Sequence, residues 1–256
     1  MASSESGMGC GPDWPLCNGE VIPELHGETL IEFGHRVIGA VLFIFTFILF
    51  WKVKKEYKEK RPRVVANWMI GLLTLQLIMG AIVVFYHLPS IVVTVHLLIA
   101  MIYLAILIWF WRYSDGKISV GKGIKAHLTW LVLFLFITIG IGAYIKHQDY
   151  GLACGVIECG NSIFPGSVPE LLQTVHRLLA VAASLYTIFF TYMVFRESID
   201  KLKLRMTMGS LVVLIQLVIG IFTILTNISI SFAVWHLAAA TLLFAVVIEA
   251  LIVTSD

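Results

Sequence analysis

Seven long apolar runs limit what this chain can fold into: about 33–52, 66–87, 90–111, 126–146, 170–195, 206–226 and 229–253. Roughly 20 helical residues cross the ~30 Å hydrocarbon layer of a bilayer. Inside lipid the backbone must satisfy its own hydrogen bonds, which leaves helices for runs of this length. The composition agrees, with 59% hydrophobic and 13% charged residues, against roughly 45–50% and about 25% in soluble domains. The predicted fold class is all-α, a polytopic membrane helical bundle with seven spans.

Basic residues predict the orientation. Lys52, Lys54, Lys55, Lys58, Lys60, Arg61 and Arg63 follow the first span, Arg112, Lys117, Lys122 and Lys125 the third, and Arg196, Lys201, Lys203 and Arg205 the fifth. These are 15 of the 18 Lys and Arg, so that side is expected to be cytoplasmic. The net charge of +2 is then a topology signal in a cell-membrane protein facing lipid, and no nucleic-acid partner is expected.

The chain also repeats itself. His35 and His96 recur as His176 and His236, Gln76-Leu77-Ile78-Met79-Gly80 as Gln216-Leu217-Val218-Ile219-Gly220, Pro23-Glu24-Leu25 as Pro169-Glu170-Leu171, and Cys10 and Cys17 as Cys154 and Cys159. Ordered matches at an offset near 140 residues, in loops as well as spans, indicate a duplicated unit. The predicted halves are 1–113 and 114–256. The second has a full span, 126–146, before its cysteine loop, whereas only nine residues precede Cys10. The expectation is that the first half lacks its opening helix and that an intact version has eight spans as parallel repeats. Met1-Ala2-Ser3-Ser4-Glu5-Ser6 would then start on the outer face, without the features of a signal peptide.

A lone histidine in a span is more often a helix-helix contact than a ligand. Four at matched depths near the outer ends of four helices fit two bis-imidazole sites better. Protein-only transition-metal sites want three or four ligands, whereas two imidazoles suit the axial positions of a haem. Arg36 and Arg177, each following a histidine, are candidates for binding haem propionates, because guanidinium and carboxylate match as forks; the alternative is snorkelling to headgroups. Glu32 lies at i−3 from His35, on the same helix face, where the second half has Gln173. A carboxylate there can take protons or stabilise positive charge on a carbon being oxidised, or it can simply pair with Arg36. If it is chemical, the first half is the reactive one.

Each outer loop holds a cysteine pair, Cys10 with Cys17 and Cys154 with Cys159. One local disulfide per loop is the expected use in an oxidising compartment, with redox-active or unpaired thiols as the alternative. Neither pair has the C-x-x-C-H pattern of covalent haem attachment.

The stretch Cys10-Gly-Pro-Asp-Trp-Pro-Leu-Cys17-Asn-Gly, with Pro23-Glu24-Leu25 and Ile31-Glu32-Phe33-Gly34-His35-Arg36, closely resembles the first outer loop and second helix of haem A synthases. The resemblance runs through all seven spans. It implies two pseudosymmetric four-helix halves and oxidation of the C8 methyl of haem O to a formyl group, giving haem A for cytochrome oxidase. It also implies that His176 and His236 ligate a haem b cofactor, that His35 and His96 lie at the substrate-haem site, that Glu32 is the functionally important acid, and that both cysteine pairs form disulfides. Haem O synthase is an expected partner, alongside an electron-transfer partner the sequence does not identify; a homo-oligomer is compatible. The expected lack of an opening helix in the first half is where this chain would depart from the family pattern. The competing readings are a di-haem membrane cytochrome b that only transfers electrons, and an inactive truncated synthase. Glu249, near the basic end of the last span, has no role in any of these.

Overall fold

A computed structural model describes residues 9–11, 14–155, 158–159 and 165–254. The expectation for Met1 to Ser6 lies outside the described residues. Seven α-helices account for all seven predicted spans: α1 (Gly27–Glu56), α2 (Lys60–Phe85), α3 (Ser90–Trp111), α4 (Lys122–His147), α5 (Val168–Arg196), α6 (Asp200–Leu225) and α7 (Ile230–Val253). Each is long and apolar enough to cross a membrane, and no strand occurs among the described residues. The protein is therefore an all-α polytopic helical bundle. Several helices outrun their apolar stretch; α1 continues through Lys52, Lys54 and Lys55 to Glu56. Hydropathy bounds only the part of a helix in hydrocarbon, whereas long polar side chains are good helix formers in the headgroup zone. In the same way α4 runs from Lys122 to His147, past both ends of its apolar run.

The chain divides into two compact units, Met1–Leu107 and Ile108–Asp256. In the first, α1 packs on α2, and the Thr46 and Tyr103 hydroxyls join α1 to α3. In the second, α4 packs on both α5 and α7, and α6 on α5 and α7.

Duplication is visible in the burial pattern and turns of each unit taken separately. Positions that are buried in the first unit, Thr46, Val53, Ala66, Leu73 and Val93, correspond at offsets of 141 or 140 residues to Thr187, Val194, Met206, Val213 and Ala233, which are also buried. The α2–α3 and α6–α7 connections are the same turn. His87 and Leu88 have positive φ, as do Asn227 and Ile228. Leu88 N–H donates to the Val83 carbonyl at 2.8 Å, and Ile228 N–H to the Thr223 carbonyl at 2.7 Å. Left-handed φ at β-branched Ile228 is uncommon, and the return of both helices fixes it. Helix α4 has no counterpart among the described residues of the first unit.

Glu249 acquires a structural role. Its carboxylate, on α7, accepts from Arg205 Nε at 2.6 Å and Nη2 at 3.0 Å, and lies 2.8 Å from Nε of Arg112, just beyond α3. One buried carboxylate thus ties two helices and the end of a third, and desolvated charges of this kind require such pairing.

Candidate functional site

The helices set the histidines at matching depths. His35 and His176 each lie eight residues beyond the first residue of α1 and α5, about 12 Å along the axis at ~1.5 Å per residue. His96 and His236 each lie six residues into α3 and α7, about 9 Å deep. Within the first unit His35 and His96 are close enough to interact electrostatically, and within the second so are His176 and His236. The structure therefore brings together the two pairs read from the sequence.

The surroundings of the rings differ. On α4, a Cβ at Gly142 would lie 2.6 Å from His176 Cε1; on α6, one at Gly220 would lie 3.0 Å from His236 Cε1; on α2, one at Gly80 would lie 3.8 Å from His96 Cε1. Only glycine permits the first approach, and the last is ordinary contact. Gln216 Nε2 sits 3.2 Å from His236 Nε2. Its counterpart Gln76 donates instead to the His96 backbone carbonyl, at 2.8 Å. In the sequence the Gln and Gly of these segments are visible only as part of the repeat, and Gly142 carries no signal, since an apolar helix with small residues gives no sign of which one meets a ring.

Nδ1 of His96, of His176 and of His236 is buried with no hydrogen-bond partner. Buried polar nitrogens left unpaired cost roughly 1–3 kcal/mol each, and such atoms commonly mark a ligand site. Among the described residues no group of three or more His, Cys, Asp or Glu is placed to hold a metal ion. Paired imidazoles, three of the four with an unpaired buried nitrogen, and no third ligand among the described residues fit axial ligation of a haem iron.

Glu32 and Gln173 occupy equivalent positions under the two cysteine loops. Glu32 is 0% exposed and Gln173 3%. Glu32 Oε2 accepts from the Cys10 N–H at 2.9 Å, and Gln173 Oε1 accepts from the Cys154 N–H at 2.7 Å. The amide has a second use that a carboxylate lacks: its Nε2 donates to the Gly151 carbonyl. Glu32 uses its other oxygen to accept from Arg36 Nη2 at 2.7 Å, the ion pair that the sequence had left as an alternative to a chemical role.

Both arginines also reach the loops. Arg36 Nη1 donates to the carbonyls of Leu16 at 2.5 Å and Pro15 at 3.3 Å, and Arg177 Nη2 to those of Gly155 at 2.6 Å and Cys154 at 3.2 Å. Each cysteine pair is a disulfide, Cys10–Cys17 with Cα atoms 4.3 Å apart and Cys154–Cys159 with 4.2 Å. Gly9 presses on the start of α1, where a Cβ would come within 2.5 Å of the Glu28 carbonyl carbon, and its carbonyl accepts from Thr29 Oγ1 at 2.8 Å. The first disulfide loop is thus a cap seated on the helix that carries Glu32, Arg36 and His35.

Comparison with known proteins bears on what such a pair of sites does. A sequence model of the COX15-CtaA family, described as "Cytochrome oxidase assembly protein", matches residues 2–248. The chain is 28% identical over 262 residues to a "Heme A synthase" of Bacillus cereus (strain 03BB102), an alignment covering 96% of this chain and 84% of that protein. A "Heme A synthase" of Bacillus anthracis (strain A0248) matches to the same extent. One from Bacillus pumilus (strain SAFR-032) is 26% identical over 264 residues, covering 96% of this chain and 85% of that protein.

Proposed function

The chain belongs to the COX15-CtaA family of cytochrome oxidase assembly proteins, and from that premise we propose that it is a haem A synthase, oxidising the C8 methyl of haem O to a formyl group. The observation that carries this reading is the asymmetry between otherwise matched sites: two imidazole pairs at equal depth, with a buried carboxylate at only one of them, Glu32 against Gln173. Similarity to proteins named "Heme A synthase" supports it.

In this reading His176 and His236 hold a resident haem b, whose iron supplies electron transfer when bound. His35 and His96 hold the haem O substrate in the half spanning 1–113, and 114–256 is the cofactor half. Glu32 shares a helix face with His35 and interacts with it electrostatically. With Oε1 fixed by Arg36 and Oε2 by the Cys10 amide, it is a preorganised negative group for positive charge developing on the oxidised carbon. Protons released at that carbon would be taken at Glu32. Arg36 and Arg177 are the propionate-binding candidates, since a guanidinium with five donors can serve a loop carbonyl and a carboxylate together. The glycine-backed ring of His176 and the amide-held ring of His236 suit a cofactor that stays; the looser surroundings of His96 suit a substrate that leaves. The basic loops face the cytoplasm, the disulfide loops the opposite side, and haem O synthase is the expected source of substrate.

The test is to co-express the chain with a source of haem O and to separate the extracted haems by chromatography and mass. Haem A is the expected product. Retained haem b with unaltered haem O would refute synthase activity in this chain and leave its two competing readings, a di-haem electron carrier and an inactive synthase.

A further inference from the structure

The repeated Gln-x3-Gly segment contributes to both units, yet its amide is used differently in each. In the first unit Gln76 Nε2 is committed to the His96 backbone carbonyl at 2.8 Å. In the second, Gln216 Nε2 turns to the imidazole itself, 3.2 Å from His236 Nε2. The amide Oε1 and the imidazole Nδ1 are buried without a partner in both units, so the direction of Nε2 is what distinguishes them. A primary amide presents a donor and an acceptor on one rotatable group. Gln216 can therefore offer the ring either a hydrogen to an unprotonated nitrogen or, after half a turn, an oxygen to an N–H. Gly220, one helical turn further along α6, would bring a Cβ to 3.0 Å from the same ring, against 3.8 Å for Gly80 and His96. The His236 ring is held by its side-chain surroundings, whereas helix α3 is held at His96 through its backbone.

We propose that Gln216 is the positioning residue for His236: its amide fixes the orientation of the imidazole and sets its strength as an iron ligand, while Gln76 leaves the His96 ring free to exchange. This rests on the reading of His176 and His236 as ligands of a resident haem. Hydrogen bonds from a ligating imidazole to a neighbouring acceptor fix its orientation and raise its basicity, and losing them costs ~10–100-fold in metal affinity. Two sites from one duplicated sequence would in this way acquire different holding power through the direction of one side chain.

The test uses the full chain purified in detergent with its haem, comparing Gln216→Leu, Gln216→Glu and Gln76→Leu by electron paramagnetic resonance of the low-spin ferric haem, redox titration and rate of haem loss. Gln216→Leu is expected to shift the low-spin signal and weaken haem retention ~10-fold or more. Gln216→Glu keeps the shape and supplies a charged acceptor, so it is expected to retain haem and lower its midpoint potential. Gln76→Leu removes a matching interhelical amide contact without touching a ring and should leave the signal unchanged. An unshifted signal in Gln216→Leu, or an equal shift in Gln76→Leu, overturns the proposal. If Gln216→Leu does not fold, an unchanged potential in Gln216→Glu overturns it. His236→Ala separates the two levels. A wild-type signal in that variant removes the ligand assignment and this inference with it; its loss, alongside a Gln216→Leu signal that has not moved, removes only the role of Gln216.

Discussion

Alanine at Gly80, Gly220 and Gly142 forms a graded test of whether the buried rings are set by their glycine neighbours. The three added Cβ atoms would meet Cε1 of His96, His236 and His176 at 3.8, 3.0 and 2.6 Å respectively. Carbon atoms pack without repulsion from about 3.5 Å. Gly80→Ala thus needs no movement, Gly220→Ala needs about 0.5 Å, and Gly142→Ala about 0.9 Å. Each substitution gains roughly 1 kcal/mol of helix propensity, and overpacking a tight site costs roughly 1–3 kcal/mol. Gly80→Ala should therefore be neutral or stabilising by up to ~1 kcal/mol, Gly220→Ala near balance, and Gly142→Ala destabilising by up to ~2 kcal/mol. Haem per chain, measured as the pyridine haemochrome on protein purified in one detergent, should fall in the same order, with thermal unfolding recorded on the same samples. Wild-type haem content and an unshifted low-spin spectrum in Gly142→Ala would refute the reasoning, as would equal losses in all three variants.

Glu32→Gln should keep the disulfide loop seated, because Gln173 shows an amide accepting the equivalent cysteine N–H, while haem A formation drops ~100-fold or more, the usual scale for a lost proton-transfer group; limited proteolysis reads the loop and haem chromatography the product. Replacing Cys10 and Cys17 together by serine opens a link of sequence separation 7. By loop entropy this should lower stability by ~2.5 kcal/mol, seen as an earlier thermal transition, and haem A yield should fall with it because the Cys10 amide and the Leu16 carbonyl no longer orient Glu32 and Arg36. Glu249→Ala leaves Arg112 and Arg205 without their shared carboxylate. A loss of ~3 kcal/mol is expected, the low end for a broken buried pair, since the arginine side chains are 24% and 27% exposed. Its haem spectrum should not change, because Glu249 lies 13 residues from His236 along α7, about 20 Å.

Much of this architecture is legible in one dimension because lipid enforces it. A span must be apolar and about 20 residues long, so all seven helices are legible at their correct places, while their ends, such as Gly27 to Glu32 and Val53 to Glu56 of α1, are not. The histidine pairing was legible because duplication repeats spacing, and equal spacing on equal helices gives equal depth. Side-chain partners were a different matter. The Glu32–Arg36 pair is legible only as one alternative, and the reach of Arg36 to the Leu16 and Pro15 carbonyls is not legible at all; nothing in the order of residues says that the loop folds back over its own helix.

Periodicity, charge asymmetry and repetition by themselves determined the class, the number of spans, the two histidine pairs and the single Glu32-for-Gln173 difference. Those are properties of each residue's distance along the chain and of its preference for lipid or water. Only the tertiary structure decided that Glu32 and Gln173 support the two disulfide loops through the same cysteine amide, that Gly142 is the surface on which His176 rests, and that Gln216 faces an imidazole where Gln76 faces a backbone carbonyl. Those depend on helix rotation and on rotamers of a few ångströms' reach, which are set by packing between helices and leave no trace in spacing or hydropathy.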